Sequence, residues 1–153
     1  MAAVPPRVVL DTNVCLDLFV FDDPRCANLA AALASGAVEA ITAVDCRDEW
    51  LAVLDYPRLA LDGTVRERAV LSFDERLRVL PTVAAGRGLP RCADRDDQKF
   101  LTLAAAAGAR WLLSRDSALL RLGRRTLRDA GFAILTPEQW SLHHAHPASR
   151  VSS

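Results

Sequence analysis

Short apolar runs alternate along this chain with longer stretches of helical periodicity, and that alternation constrains the fold more than any other feature. The runs fall at 7–11, 38–42, 77–80, 111–114 and 132–135. Most are apolar throughout rather than on alternate residues, as in strands buried on both faces of a parallel sheet. Helical patterns lie between them at 24–35, 44–55, 64–77 and 94–107, with short ones at 117–122 and 124–130 and a last one from Pro137 through Trp140. Pro24 suits a first helical turn, Gly36 and Gly108 suit helix stops, and Tyr56-Pro57 ends the segment before it. Thr64 with Glu67 three residues later fits a capping box. The stretch 84–92, with two glycines and Pro90, reads as a loop. The expected architecture is α/β: a three-layer α/β/α sandwich around a central, mainly parallel sheet of four to five strands.

At 153 residues the chain is long enough for one domain with a real core and too short for two ordinary ones. That domain is expected over 1–142, with 143–153 a flexible tail carrying His143, His144 and His146. No apolar run approaches the roughly 18 residues of a membrane span, and Met1–Pro6 lacks the basic and long apolar regions of a signal peptide. A cytoplasmic location and no membrane partner are therefore expected. Nineteen basic and 19 acidic residues cancel, so bulk charge points to no nucleic acid. The segment 110–128 nevertheless holds six arginines against Asp116. It reads as a solvated helical face, with phosphate contact as the alternative. Cys15, Cys26, Cys46 and Cys92 have no metal-finger spacing and are expected to be reduced and partly buried.

The acids carry the chemistry. Asp11 closes the run Val8-Val9-Leu10, and Asp116 follows Trp111-Leu112-Leu113-Ser114-Arg115. An open parallel sheet presents its functional groups at the carboxyl ends of its strands, so both acids belong at one edge. Asp94, Asp96 and Asp97 open the helix leading into the second of these strands, and Glu49 lies one turn into the helix after strand two. Each acid alone could be a helix cap, a dipole partner or a surface charge. Asp17, Asp22, Asp23, Asp45 and Asp48 are read that way. Several carboxylates converging would repel one another unless a cation joined them. Oxygen ligands without Cys or His suit a hard ion, Mg²⁺ or Mn²⁺, which can activate water and clamp the oxygens of a phosphoryl displacement.

These residues resemble the PIN-domain ribonucleases, and among them the small bacterial toxin components of toxin–antitoxin systems (VapC-like). The resemblance runs from Val8 to about Trp140. It rests on Val-Val-Leu-Asp-Thr-Asn-Val at 8–14, Glu-Trp-Leu-Ala-Val-Leu at 49–54 and Asp-Arg-Asp-Asp-Gln-Lys-Phe-Leu at 94–101. It continues through Trp-Leu-Leu-Ser-Arg-Asp at 111–116 and Ile-Leu-Thr-Pro-Glu-Gln-Trp at 134–140. The resemblance implies metal-dependent RNA hydrolysis, with Asp11, Glu49, Asp97 and Asp116 as the catalytic and metal-binding acids. Asp94, Asn13 and Ser114 fall on auxiliary positions. Trp50 replaces a usual aliphatic residue, Ser114 stands where Thr is common, and Arg115 replaces a usually small residue. Arg91, Arg95 and Arg115 are candidates to hold the RNA backbone, and Arg115 could instead obstruct the site. A cognate antitoxin and a homodimer or higher assembly are the implied partners.

Two other readings compete. A phosphatase with an aspartyl nucleophile would want a second acid two residues after Asp11, where this chain has Asn13. A non-catalytic binding module would keep the acids without cutting RNA. Of the aromatic residues able to stack bases, including Trp50, Trp111, Trp140 and Tyr56, most read as core.

Overall fold

The computed structural model of the chain describes residues 4–81 and 89–144. Its strands are β1 (Arg7–Leu10), β2 (Glu39–Thr42), β3 (Leu77–Val79), β4 (Trp111–Leu113) and β5 (Ala133–Leu135). They pair in parallel in the order β3-β2-β1-β4-β5. The helices are α1 (Thr12–Phe19), α2 (Ala27–Ser35), α3 (Val44–Leu54), α4 (Gly63–Arg76), α5 (Gln98–Ala106), α6 (Ser117–Leu120), α7 (Gly123–Ala130) and α8 (Pro137–His144). Among the described residues no helix is long and apolar enough to cross a membrane.

The strands are apolar on both sides because the sheet is covered on both. Val8 and Leu10 point into one layer with Leu29, Trp50, Phe73 and Trp140. Val9, Ile41, Leu112 and Ile134 point into the other with Phe100, Leu101 and Phe132. Trp50 stacks on Phe73 with ring centroids 5.3 Å apart, a contact worth about 1 kcal/mol beyond its area burial. Helix α7 approaches β5 backbone to backbone at Gly123. A Cβ there would stand 3.1 Å from the Ile134 carbonyl oxygen, so even Ala would push the layers apart.

The boundaries differ from expectation where local polar bonds intervene. The segment expected as a helix over 24–35 starts as a tight 3-10 turn at Pro24–Cys26, because Asp23 accepts from Arg25 N two residues on. Likewise the helix expected from Asp94 starts as a 3-10 turn at Arg95–Asp97, with Asp94 accepting from Asp96 N. Helix α4 is capped by Asp62, which accepts from Val65 N, and not by Thr64. Helix α8 continues past Trp140 to His144, since no breaker precedes Pro147. Most of the loop expected over 84–92, and residues 145–153 of the expected tail, lie outside the described residues.

The topology selects one place for a site. From β1 the chain steps outward through β2 to β3, then crosses back to β4 on the other side of β1 and continues to β5. Between β1 and β4 the direction of winding reverses. There the connections leave in opposite directions and open a crevice beyond the carboxyl ends of the strands.

Candidate active site

Both strands flanking the reversal lead into an acid that caps a helix. Asp11 N bonds to Leu113 O across the sheet (2.9 Å), and the Asp11 side chain accepts from Thr12 N at the head of α1 (2.7 Å). Asp116 caps α6 by accepting from Ala118 N (2.9 Å). Ser114 ties the two together: its hydroxyl donates to Asp11 Oδ2 (2.6 Å) and accepts from Asp116 N (3.0 Å). Cap and site are therefore not alternatives here, because capping is what aims these carboxylates. The 3-10 turn capped by Asp94 carries Asp97 to the same pocket as Asp116.

Asp11, Asn13, Asp94, Asp97 and Asp116 share a pocket of about 320 Å³. The sequence-expected acids from 11, 94, 97 and 116 are thus brought together. Burial pushes the Asp11 carboxyl up to about 6 against the hydrogen bonds from Ser114 and Thr12, and the charges of Glu49 and Asp116 add to the rise. Asp97 is pushed up to about 7, first by burial and then by its contact with Asp116 and the charge of Asp11. Both shifts have the sign expected of like charges crowded in a dry site. The Asn13 side-chain oxygen is buried in the same wall with no hydrogen-bond partner among the described residues.

Glu49 does not line the pocket. It reaches Asp11 through Thr12, whose hydroxyl donates to Glu49 Oε2 while its backbone N–H donates to Asp11. The other oxygen of Glu49 is held by Lys99 Nζ at 2.8 Å. Arg47, two residues before Glu49, pairs with Asp74. Lys99 went unnoticed in the sequence, although a signal existed. A cation in the first turn of a helix opposes the helix dipole, and so calls for an acid from elsewhere.

The three candidate arginines separate. Arg91 and Arg95 are exposed and make no ion pair among the described residues. Arg115 turns away from the pocket: its guanidinium sits 2.5 Å from Asp17 and 2.8 Å from Glu138, clamping α1 to α8. Arg115→Gln is accordingly expected to cost about 1–3 kcal/mol of stability, by stranding two carboxylates, and to leave RNA affinity nearly unchanged. Thermal melts and RNA titrations check this, and weaker RNA binding at an unchanged melting temperature would reverse the assignment. The basic segment 110–128 is no single face either, since Arg110 lies over the Trp111 ring and Arg128 pairs with Asp129.

A hard divalent cation suits the donor chemistry, which is all oxygen, crowded, and supplemented by the unpartnered Asn13 carbonyl. Among the described residues, however, no three acid, thiol or imidazole side chains form a ready coordination set. The oxygens of Asp11 are occupied by Thr12 and Ser114, and those of Glu49 by Thr12 and Lys99. All four cysteines are free, with Cys15, Cys26 and Cys46 buried, and burial pushes their thiols up away from reactivity.

Comparison with known proteins bears on the fold and the family. The chain is similar in structure to VapBC2 from Rickettsia felis, solved bound to a DNA fragment from its promoter. The TM-score is 0.58 at 14% identity, over 84% of this chain and 96% of that one. It is also similar to PAE2754 from Pyrobaculum aerophilum, with a TM-score of 0.56 at 16% identity, over 94% of this chain and 92% of that one. At such identities the likeness concerns the fold. No curated protein sequence matches. A family model described as PIN domain matches residues 7–118, well over half of the chain. The matched span runs from β1 into the first turn of α6 and takes in every acid of the pocket, and the chain belongs to the PIN-domain family.

Proposed function

We propose that the protein is a metal-dependent endoribonuclease that hydrolyses RNA phosphodiester bonds. The observation that carries this is the meeting of Asp11, Asp97 and Asp116 in one pocket at the reversal of the sheet, with two of the carboxyls pushed toward neutral pH. Acids so placed are poor company without a cation and good ligands with one. Asp11, Asp97 and Asp116 would hold Mg²⁺ or Mn²⁺. Bound there, the ion would lower the pKa of an attacking water and neutralise charge developing on the phosphate.

The remaining residues have supporting tasks. Ser114 orients Asp11 by donating to Oδ2. Lys99 fixes the Glu49 carboxylate in place, and Thr12 relays the position of Glu49 to Asp11. Glu49 then serves as an outer ligand or positions the water. Asp94 sets the turn that delivers Asp97. Arg91 and Arg95, exposed beside that turn, attract RNA phosphate without reading sequence.

The toxin reading draws on the VapBC2 likeness. By that analogy the chain acts as the toxin of a toxin–antitoxin pair, with an antitoxin partner that covers the crevice, and self-associates as a dimer or larger assembly.

Cleavage of single-stranded RNA in Mn²⁺, compared with EDTA, tests the nuclease proposal. Cutting should vanish in EDTA and fall at least about 100-fold in Asp116→Asn. A variant that cuts as well as the parent would sink the proposal. Induced expression tests the toxin reading separately, and unimpaired growth would remove it while leaving the nuclease assignment intact.

A further inference from the structure

One wall of the acid pocket is of a different character. Val53, Tyr56, Arg58 and Leu59 line the pocket together with Asp94, Asp97 and Asp116. Tyr56 is 45% exposed, whereas Trp50 and Trp140 are 1% and 0% exposed and belong to the core. Among the described residues lining the pocket, Arg58 is the one cation, and four aspartates share that lining. Despite these neighbours, Arg58 makes no ion pair among the described residues. Its guanidinium instead lies 5.9 Å from the centre of the Tyr56 ring.

The turn carrying the pair is stiff. Pro57 fixes its own backbone, and Pro57–Leu59 forms a 3-10 turn closed by bonds from Leu59 N to Tyr56 O and from Ala60 N to Pro57 O, each 3.0 Å. Ala60 is held at φ 49°, a left-handed conformation that residues with a Cβ seldom adopt. Tyr56 N is in turn bonded to Val53 O at the end of α3. A flat ring and a planar cation are therefore presented together in the pocket that holds the acids.

We infer that Tyr56 and Arg58 form the substrate-positioning platform of this site, stacking a base of single-stranded RNA on the tyrosine ring and holding an adjoining phosphate with the guanidinium. A polyanion approaching four aspartates is repelled, and an unpaired cation on the rim offsets that repulsion where the strand must enter. The face of an aromatic ring accepts any base, so the platform supplies register and affinity more than sequence choice. The inference takes its substrate class from the nuclease reading, and the residues are assigned by the pocket itself.

Tyr56 is the sole tyrosine in the sequence, which provides a direct probe. Protein grown with 3-fluorotyrosine carries a single fluorine resonance, to be followed while a short phosphorothioate single-stranded RNA is titrated in Mg²⁺. The resonance should shift saturably. Tyr56→Ala should weaken RNA binding about tenfold, with Tyr56→Phe close to the parent. Arg58→Gln should reduce the slope of log affinity against log salt by about 0.7, the share of one single-strand phosphate. Both side chains are exposed, and circular dichroism would verify that the variants fold. A resonance unmoved by saturating RNA, or variants that bind like the parent, overturns the platform. Should the parent still cut RNA in Mn²⁺ in that case, the nuclease reading survives the loss of the platform. Should the platform bind as described while no cutting occurs, the platform stands and the nuclease reading falls.

Discussion

Asp11→Asn should abolish RNA cleavage and at the same time make the metal-free protein harder to melt at pH 8. The two effects share one cause. Asp11 is 5% exposed, and its carboxyl is held up at about 6 because burial opposes its charge. A rise of about two units corresponds to about 3 kcal/mol of strain borne by the folded state once the group ionises. Asn keeps the structural role, since its side-chain oxygen can still accept from Thr12 N and its amide can donate to Ser114 Oγ. It removes the charge. A gain of several degrees in melting temperature is expected in EDTA at pH 8. In Mn²⁺ the order should reverse, because the parent gains a ligand that the variant binds poorly. Cleavage should fall by more than about 100-fold, the upper end for residues that only support a ligand. A variant less stable than the parent in EDTA at pH 8 would show that the Asp11 charge is not the burden assigned to it.

Melting the parent across pH should give the second large effect. Asp11 at about 6 and Asp97 at about 7 bind protons more tightly folded than unfolded, where both titrate near 3.8. The folded state therefore carries more protons between these limits, and stability falls as pH rises. The contribution is full below about pH 4 and is lost on passing through 6 to 7. Asp23, Asp74 and Asp129 are lowered by arginine partners, so theirs is lost only in more acid solution and leaves the window from pH 5 to 8 clear. Without divalent ions the melting temperature should drop by about 5 °C between pH 5 and 8. Mn²⁺ should restore it at pH 8 and do little at pH 5, where protons compete for the same oxygens. A flat or rising profile in EDTA would contradict the crowding of these carboxyls.

The strands were readable because burial on both faces leaves a continuous apolar run, and the acids because they stand where those runs stop. Helix starts were less so. At Asp23 and Asp94 a side chain bonds two residues ahead and tightens the first turn, a choice that periodicity does not register. At α4 two capping residues lie two positions apart, Asp62 and Thr64, and the one whose oxygen reaches Val65 N prevails. That Asp11, Asp116 and the acids of 94–97 meet at one edge followed from topology. The choice of Asp94 and Asp97 among them came from the family resemblance, and Glu49, expected at the same edge, stays out of the pocket. The partners of Glu49 and Arg115 did not follow from topology, because Lys99, Asp17 and Glu138 meet them only after the layers pack. Tyr56-Pro57 looked like a helix stop and is one. That it also lines the acid pocket depends on how α3 lies over the sheet, which no local pattern encodes.

The reversal of strand order also fixes when activity can begin. Asp11 leaves the first strand and Asp116 follows the fourth, so the site needs 116 of the 153 residues before its acids can meet. A chain still being synthesised exposes the first half of the sheet with Asp11 and Glu49 alone. Asp11 and Asp116 stay apart until β4 has slotted in beside β1. On the ribonuclease proposal, the order of the strands delays the danger the protein poses to the message that encodes it.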